Sequence, residues 1–392
     1  MHPDTALELI AGIDIRLSSE TASLEAALGR IPVETPFSRL DQPPFDKATM
    51  DGFAYASSSE VLAKEGDEFV LVGQAAAGSP SVAPLRPGQC LRIMTGAAAP
   101  EGALAVHRLE RAAQSGECVR IIEGEIESNI VRRGANSRSG SALFPRRPLK
   151  CQDIGILAAN GISRLEVVRR PRVAVLSSGD ELVAAEEECA ANRIYDSNGP
   201  LLVAQAEAFG CEVSFGGIVP DNERALCDAI RKAAADADLV ILSGGVSAGD
   251  YDFVPRAAAE EGFSLLFHGL KLKPGKPALL ARRGEHLLYG MPGNPVSSFL
   301  NFELLVKPIL RRLAGLEYAP PRARVRVGSA FSRRESDRVE FVPAMIALGS
   351  ASPIRYTGST MLDALAAADA MVRFEIGERE IPEGVWVDAL LV

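Results

Sequence analysis

The chain has 392 residues, 47% hydrophobic and 24% charged, with a formal charge of −9 and a pI near 5.2. At roughly 100–200 residues per domain this length holds several domains, and so large an apolar share excludes a disordered chain. The acidic balance excludes the broad basic field of a nucleic-acid binder, and 6% aromatics with one Trp exclude a stacking platform for single strands.

In chain order, the opening Met1-His2-Pro3-Asp4-Thr5 has no basic segment leading into an apolar run. The longest apolar runs, such as Leu239–Leu242, fall far short of the ~20 residues that span a bilayer. The reading is a cytoplasmic protein without membrane contact. Residues 5–29 carry Ala6, Leu7, Leu9 and Ile10, then Ala22, Leu24, Ala27 and Leu28, at helical spacing, with Gly29 as a stop. The segment 41–46 (Asp-Gln-Pro-Pro-Phe-Asp) breaks structure, and short strands between Gly and Pro follow at 69–72, 91–94 and 119–122. These predict a small β domain over 46–139, inserted into a helical and linker domain of 5–45 and 140–170.

From 171 the pattern alternates: strand 172–177, a helix between Pro200 and Gly210, strand 212–215, helix 221–236, strand 238–242, helix 252–261, and strands 264–268 and 286–289. A long apolar helix then runs from Pro295 to Ala314. Continuous apolar strands alternating with helices predict a doubly wound parallel α/β domain over 171–316, whose ligands sit at the carboxyl ends of its strands. Short strands at 325–327, 339–342 and 385–387, with a short helix near 361–367, predict a C-terminal β-barrel-like domain over 317–392. Cys90, Cys118, Cys151, Cys189, Cys211 and Cys227 form no CxxC pair, and His2, His107, His268 and His286 show no ligand spacing. Reduced cysteines and no protein-ligated transition metal are expected.

Several loops of the α/β domain carry chemistry. Ser243-Gly244-Gly245-Val246-Ser247 follows a buried strand; its amides and hydroxyls suit an oxyanion, or form a tight turn with no ligand. Asp250 and Asp252 follow it, fit either for a bridging Mg²⁺ or for capping a helix. Asp221 begins a helix and reads most simply as its cap, while Asp180 and Glu181 close the first strand. Lys273-Pro274-Gly275-Lys276-Pro277 puts two cations on a stiffened loop, an anion clamp or a solvated turn. Pro292-Gly293-Asn294-Pro295 opens the long helix, either presenting free amides to a ligand or simply starting the helix. Arg132, Arg133 and Arg138, and Lys271, Lys273 and Lys276, are local cation clusters hidden in an acidic chain.

Taken together and in order, these stretches resemble the molybdopterin molybdenumtransferases, the MoeA family and the E domain of gephyrin. The likeness also rests on Pro43-Pro44-Phe45-Asp46 through Met50-Asp51-Gly52, Arg92-Ile93-Met94-Thr95-Gly96-Ala97, Gly179-Asp180-Glu181-Leu182, Tyr195-Asp196-Ser197-Asn198 and Gly358-Ser359. The resemblance implies a transferase of molybdenum cofactor biosynthesis. It would insert molybdate into adenylylated molybdopterin with Mg²⁺ and release AMP. The resemblance also implies a homodimer whose sites lie between the α/β domain of one subunit and the inserted β domain of the other. It assigns Asp51, Thr95, Glu181, Asp221 and Asp252 to catalysis, with Glu181, Asp221 and Asp252 holding the metal. Ser243, Gly244, Gly245, Ser247, Lys273, Lys276, Pro292, Gly293, Asn294 and Pro295 would bind substrate. The chain departs from the family pattern at Ala135 and Asn136, where carboxylates are usual, at Gly269, where a lysine is usual, and at Leu104, where an acid is expected. These departures motivate an alternative, a non-catalytic molybdopterin- or cofactor-binding or scaffold protein.

Overall fold

A computed structural model describes residues 1–80, 82–246, 253–317, 322–334 and 337–392. They form two compact units, residues 1–21 with 166–392, and residues 22–165.

The first unit is built on a six-stranded sheet ordered Glu212–Val219, Arg172–Ser178, Leu239–Ser243, His286–Met291, Leu279–Arg283, Ser264–His268. Its central strands are apolar throughout because both faces are covered. Val173, Val175, Leu239, Ile241, Leu287 and Tyr289 point into one core, while Ala174, Leu176, Val240, Leu242 and Leu288 point into the other. The helix Asn198–Phe209 and the segment Pro295–Leu313 cover the first face; the helices Glu223–Asp236 and Val254–Glu260 cover the second.

The first four strands are parallel, as expected. Leu279–Arg283 was not among the expected strands and runs antiparallel to both neighbours. Only Gly284 and Glu285 separate it from His286, and so short a connection permits only a hairpin.

Other elements differ at their edges. The N-terminal helix spans Pro3–Gly12 and buries Ala6, Leu7 and Ile10 in the α/β core. The second stretch read as helical is a strand, Ser19–Ser23, with a single helical turn, Leu24–Ala27. The long helix is interrupted by a π turn over Phe302–Val306, just before Pro308. A proline donates no N–H, and its ring collides with the carbonyl four residues back; widening the preceding turn relieves both.

The C-terminal strands close on themselves, Val339–Ala347, Ser350–Pro353, Ala323–Val327, Trp386–Leu391, Ala370–Phe374 and back to Val339–Ala347. Closure leaves no free sheet edge among these five strands and encloses Val325, Val327, Phe331, Val372, Phe374 and Ile381. Leu272–Lys273, from the α/β domain, pairs with Val339–Glu340 at the barrel wall.

The second unit holds a sheet ordered Ala105–Arg108, Gly52–Tyr55, Gln89–Ile93, Glu68–Ala75, Cys118–Ile121, Ala112–Ser115. Its two faces bury separate clusters, Ala54, Leu91, Ile93 and Val106 in one, Phe53, Tyr55, Phe69 and Val119 in the other. The helix Cys151–Ala159 in the same unit is anchored by buried Asp153, which takes both Arg147 guanidinium nitrogens at 2.5 and 2.9 Å and the Lys150 amide at 2.7 Å. Among the described residues no helix is long and apolar enough to cross a membrane.

Candidate active site

The carboxyl ends of three adjacent strands meet at Ser178, Ser243 and Met291. Gly244 turns the chain there with φ +99°, its amide donating to the Met291 carbonyl at 3.0 Å. A Cβ on Gly244 would lie 2.2 Å from the Ser178 carbonyl oxygen, so the backbones approach as only glycine allows. Asn198 Nδ2 donates to Ser243 Oγ and to the Gly293 carbonyl, both at 2.7 Å. One amide thus ties the Gly244–Gly245 turn to the Pro292–Pro295 loop. Ser243, Gly244, Gly245, Pro292, Gly293, Asn294 and Pro295 are therefore assembled at one edge of the sheet. Ser247 lies outside the described residues.

Two groups expected to face a ligand make contacts within the protein. Ser243 is buried and accepts from Asn198. At the start of the helix Pro295–Asn301, the Val296 amide donates to the Ser359 carbonyl at 3.1 Å and the Ser298 amide to Asn294 at 3.0 Å.

Asp221 is not the helix cap that its position suggested. Asn222 caps Glu223–Asp236, its side chain accepting from Ala225 N at 2.9 Å. Asp221 instead accepts a short hydrogen bond from the Ser178 hydroxyl on Oδ1, and its amide donates to Asp180 Oδ1 at 3.1 Å. Asp221 Oδ2 and the exposed Glu181 carboxylate have no hydrogen-bond or ion-pair partner among the described residues. Asp252 lies outside them, and no cluster of three His, Cys, Asp or Glu among the described residues is placed to hold a metal. Three buried polar atoms beside this edge also lack partners among the described residues: Ser177 Oγ, Asp196 Oδ2 and Asn198 Oδ1.

The two lysines of the 273–277 loop differ. Lys273 Nζ pairs with Glu340 Oε1 at 3.0 Å, and buried Glu340 also takes Arg333 Nη1 at 2.9 Å. Lys276 is exposed, without an ion pair or hydrogen bond from its side chain among the described residues. A Cβ on Gly275 would lie 2.4 Å from Asn301 Nδ2, so the loop is seated against the helix. Gly269 has φ +81°, where a lysine would be strained, and its carbonyl accepts from the Met1 ammonium at 3.0 Å.

In the second unit, Asp51 and Thr95 meet: Asp51 Oδ1 accepts from the Thr95 amide and hydroxyl, each at 2.7 Å. The amide and then the hydroxyl, helped by the Arg92 charge, hold the Asp51 carboxyl below the ordinary carboxylate value. A lowered folded-state pKa stabilises the fold above the unfolded pKa, and that stability is lost as pH falls through the folded one. Thr95→Val is expected to raise the Asp51 pKa toward its ordinary value, read by carboxyl-carbon NMR titration; an unmoved titration would assign the shift to the amide and Arg92 alone. Of the arginine cluster, Arg132 pairs with Asp46 at 2.6 Å and Arg133 with Asp41 at 2.7 Å. Two of its three cations are therefore committed within the protein.

Sequence reasoning left Ser178, Asn198, Glu340 and Ser359 without roles. Asp196 and Asn198 were visible as a short polar motif ahead of a helix, but their contacts are with residues 45 to 95 positions away or with the helix they precede.

Three family models match the chain: "MoeA N-terminal region (domain I and II)" over residues 1–161, "Probable molybdopterin binding domain" over 174–312, and "MoeA C-terminal region (domain IV)" over 325–392. A protein of Nostoc sp. named molybdopterin molybdenumtransferase is 37% identical over 323 residues, 80% of this chain and 74% of its own length. One of the same name from Staphylococcus epidermidis is 30% identical over 98% of this chain and 94% of its own. The solved structure of a molybdopterin biosynthesis MoeA protein from Pyrococcus horikoshii superposes with a TM-score of 0.86 at 30% identity, covering 100% of this chain and 98% of its own.

Proposed function

This chain belongs to the MoeA family of molybdopterin molybdenumtransferases, and on that premise we propose that it inserts molybdenum into molybdopterin during molybdenum cofactor biosynthesis. The observation that carries the reading to the site is the junction at the carboxyl edge of the α/β sheet. There the Gly244 turn, the Pro292–Pro295 loop and Asp221 are locked together through Asn198 and Ser178.

The substrate in this reading is adenylylated molybdopterin, with molybdate as the second substrate and AMP as a product. Gly244, Gly245 and Gly293 bring backbone close to the phosphate arm without side chains in the way. Lys276 offers a cation for an oxyanion, and Lys273 joins it by exchanging Glu340 for the ligand.

Magnesium fits the donor set, because Asp221 and Glu181 present hard carboxylate oxygens without partners among the described residues. Asp221, Glu181 and Asp252 would hold it, and when bound it would neutralise phosphoanhydride oxygens. The Ser178 hydroxyl keeps the Asp221 carboxylate oriented toward the edge of the sheet rather than toward its own helix. The working form in this reading is a cytoplasmic homodimer in which the Asp51–Thr95 pair of one subunit completes the site of the other.

The test is incubation of purified protein with adenylylated molybdopterin, molybdate and Mg²⁺, following AMP release and reconstitution of a molybdenum apoenzyme. Both are expected. Tight binding without AMP release would instead identify the non-catalytic carrier suggested by Ala135, Asn136 and Gly269.

A further inference from the structure

The charge on Lys273 is contested inside the protein. The short strand Leu272–Lys273 pairs in parallel with Val339–Glu340, Lys273 opposite Glu340. Residues paired in a ladder point to the same face, so the ammonium and the carboxylate meet, Nζ to Oε1 at 3.0 Å.

The two ends of this pair are unequal. Glu340 is 5% exposed, whereas the Lys273 side chain is 42% exposed. Glu340 also holds a second cation, its Oε2 accepting from Arg333 Nη1 at 2.9 Å. Arg333 is fixed by further contacts. Its Nε donates to the Glu378 carbonyl at 2.8 Å, its Nη2 to the Glu375 carbonyl, and its guanidinium lies over the Phe374 ring at 4.8 Å. Tyr356 also lies near Glu340; burial, then the Glu340 charge, pushes its pKa up to about 12, so it adds no charge of its own.

Lys273 can therefore leave without stranding a buried charge. A carboxylate that loses its last cation is costly, but Glu340 keeps Arg333. The departing ammonium is already partly in water and carries the surplus charge of the cluster, one carboxylate against two cations. Lys276 stands three residues on, exposed and without a side-chain partner among the described residues.

We infer that Glu340 is an internal competitor for the oxyanion substrate: it holds Lys273 while the site is empty, yields it to an oxyanion arriving beside Lys276, and takes it back when that ion is passed on. Glu340 is thus a positioning residue that acts on substrate through Lys273, and the inference rests on the molybdate reading of this loop. Each binding event breaks a salt bridge and brings an anion toward Glu340, so affinity is set below what the two lysines alone would give. Weak holding suits an ion that is handed on, because uniform tight binding lowers KM without raising kcat.

The experiment is molybdate binding to the purified full-length protein by calorimetry, without the pterin substrate, followed by insertion kinetics. Glu340→Gln keeps an acceptor for Arg333 and removes the competing charge. It is expected to tighten molybdate binding about threefold to fivefold, and to lower KM for molybdate without raising kcat. The gain should pass through Lys273: Lys273→Ala should bind more weakly than wild type, and adding Glu340→Gln to it should recover little.

A Glu340 with a purely structural role would lower the melting temperature and leave binding unmoved, which overturns the proposal. So does an equal gain with and without Lys273, or a wild type that binds no molybdate. If Glu340→Gln does not fold, a wild-type structure with molybdate bound decides. Lys273 Nζ is expected to have turned from Glu340 to the ion with Arg333 still in place; an intact Lys273–Glu340 pair beside the bound ion overturns the proposal. AMP release separates the two readings. Insertion with molybdate affinity indifferent to Glu340 sinks the competitor and leaves the transferase standing. Absent insertion with the expected binding pattern sinks the transferase and leaves the competitor.

Discussion

Asp221→Ala is expected to lower molybdenum insertion by about 100-fold or more while leaving thermal unfolding nearly unchanged. The reason is the division of labour at the start of its helix. Asn222, not Asp221, caps Glu223–Asp236, so losing the Asp221 side chain removes no cap. What it removes is the carboxylate that the Ser178 hydroxyl holds at the carboxyl edge of the sheet, the group to which the proposed function assigns the metal. The neighbouring Asn222→Ala supplies the contrast. It should cost about 1 kcal/mol of stability and leave turnover intact. Insertion assays paired with thermal melts on both variants decide the matter. If Asp221→Ala turns over like wild type, Asp221 has no part in the chemistry.

Gly244→Ala is expected to be severely damaging to fold and activity together. The residue sits at φ +99°, costing about 1–2 kcal/mol for any L side chain, and the added Cβ would lie 2.2 Å from the Ser178 carbonyl. That neighbour is backbone at the end of a central strand, so it cannot rotate away. Either the turn or the strand must move, and both lead directly into the Asp221 and Asn198 contacts. A loss of several kcal/mol of stability and of insertion activity together should follow. Gly293→Ala tests the other side of the junction. Among the described residues its new Cβ would meet nothing nearer than the Gly244 Cα at 4.0 Å, so the fold should be nearly indifferent. Lost activity in Gly293→Ala with an unchanged melt would mark the space above Gly293 as ligand space. Unchanged activity would make that glycine a feature of the turn only.

The central α/β architecture was legible because its strands are buried on both faces. Runs such as Leu239–Leu242 and Val173–Leu176 are apolar at every position. The barrel strands were visible piecemeal, but their closure depends on a pairing between Val339–Ala347 and Ala370–Phe374 that no local pattern announces. Leu279–Arg283 escaped notice because a short apolar run beside a polar turn fits a loop as well as a strand. Apolar spacing around 19–23 suits a helical face as well as the strand that forms there.

Residue types and their order in the chain sufficed to point to the glycine turn and the Pro292–Pro295 loop, which the fold joins through Asn198, and to name the acidic positions and the two lysines as candidates. Those signals are local: glycines where backbone must approach, prolines where a helix starts, charges clustered within a few positions. The partner of each polar group was decided only by the tertiary structure. Asp221 looked like a cap and is held by Ser178; Lys273 looked free and is paired with Glu340; Arg132 and Arg133 looked available and are neutralised by Asp46 and Asp41. Hydrogen bonds and ion pairs act over about 3–4 Å, and folding brings groups that close without regard to their distance along the chain. The sequence by itself therefore determined the family, the layered α/β core and the list of chemical groups. The three-dimensional fold decided which of those groups are spent on holding the protein together and which remain for a ligand.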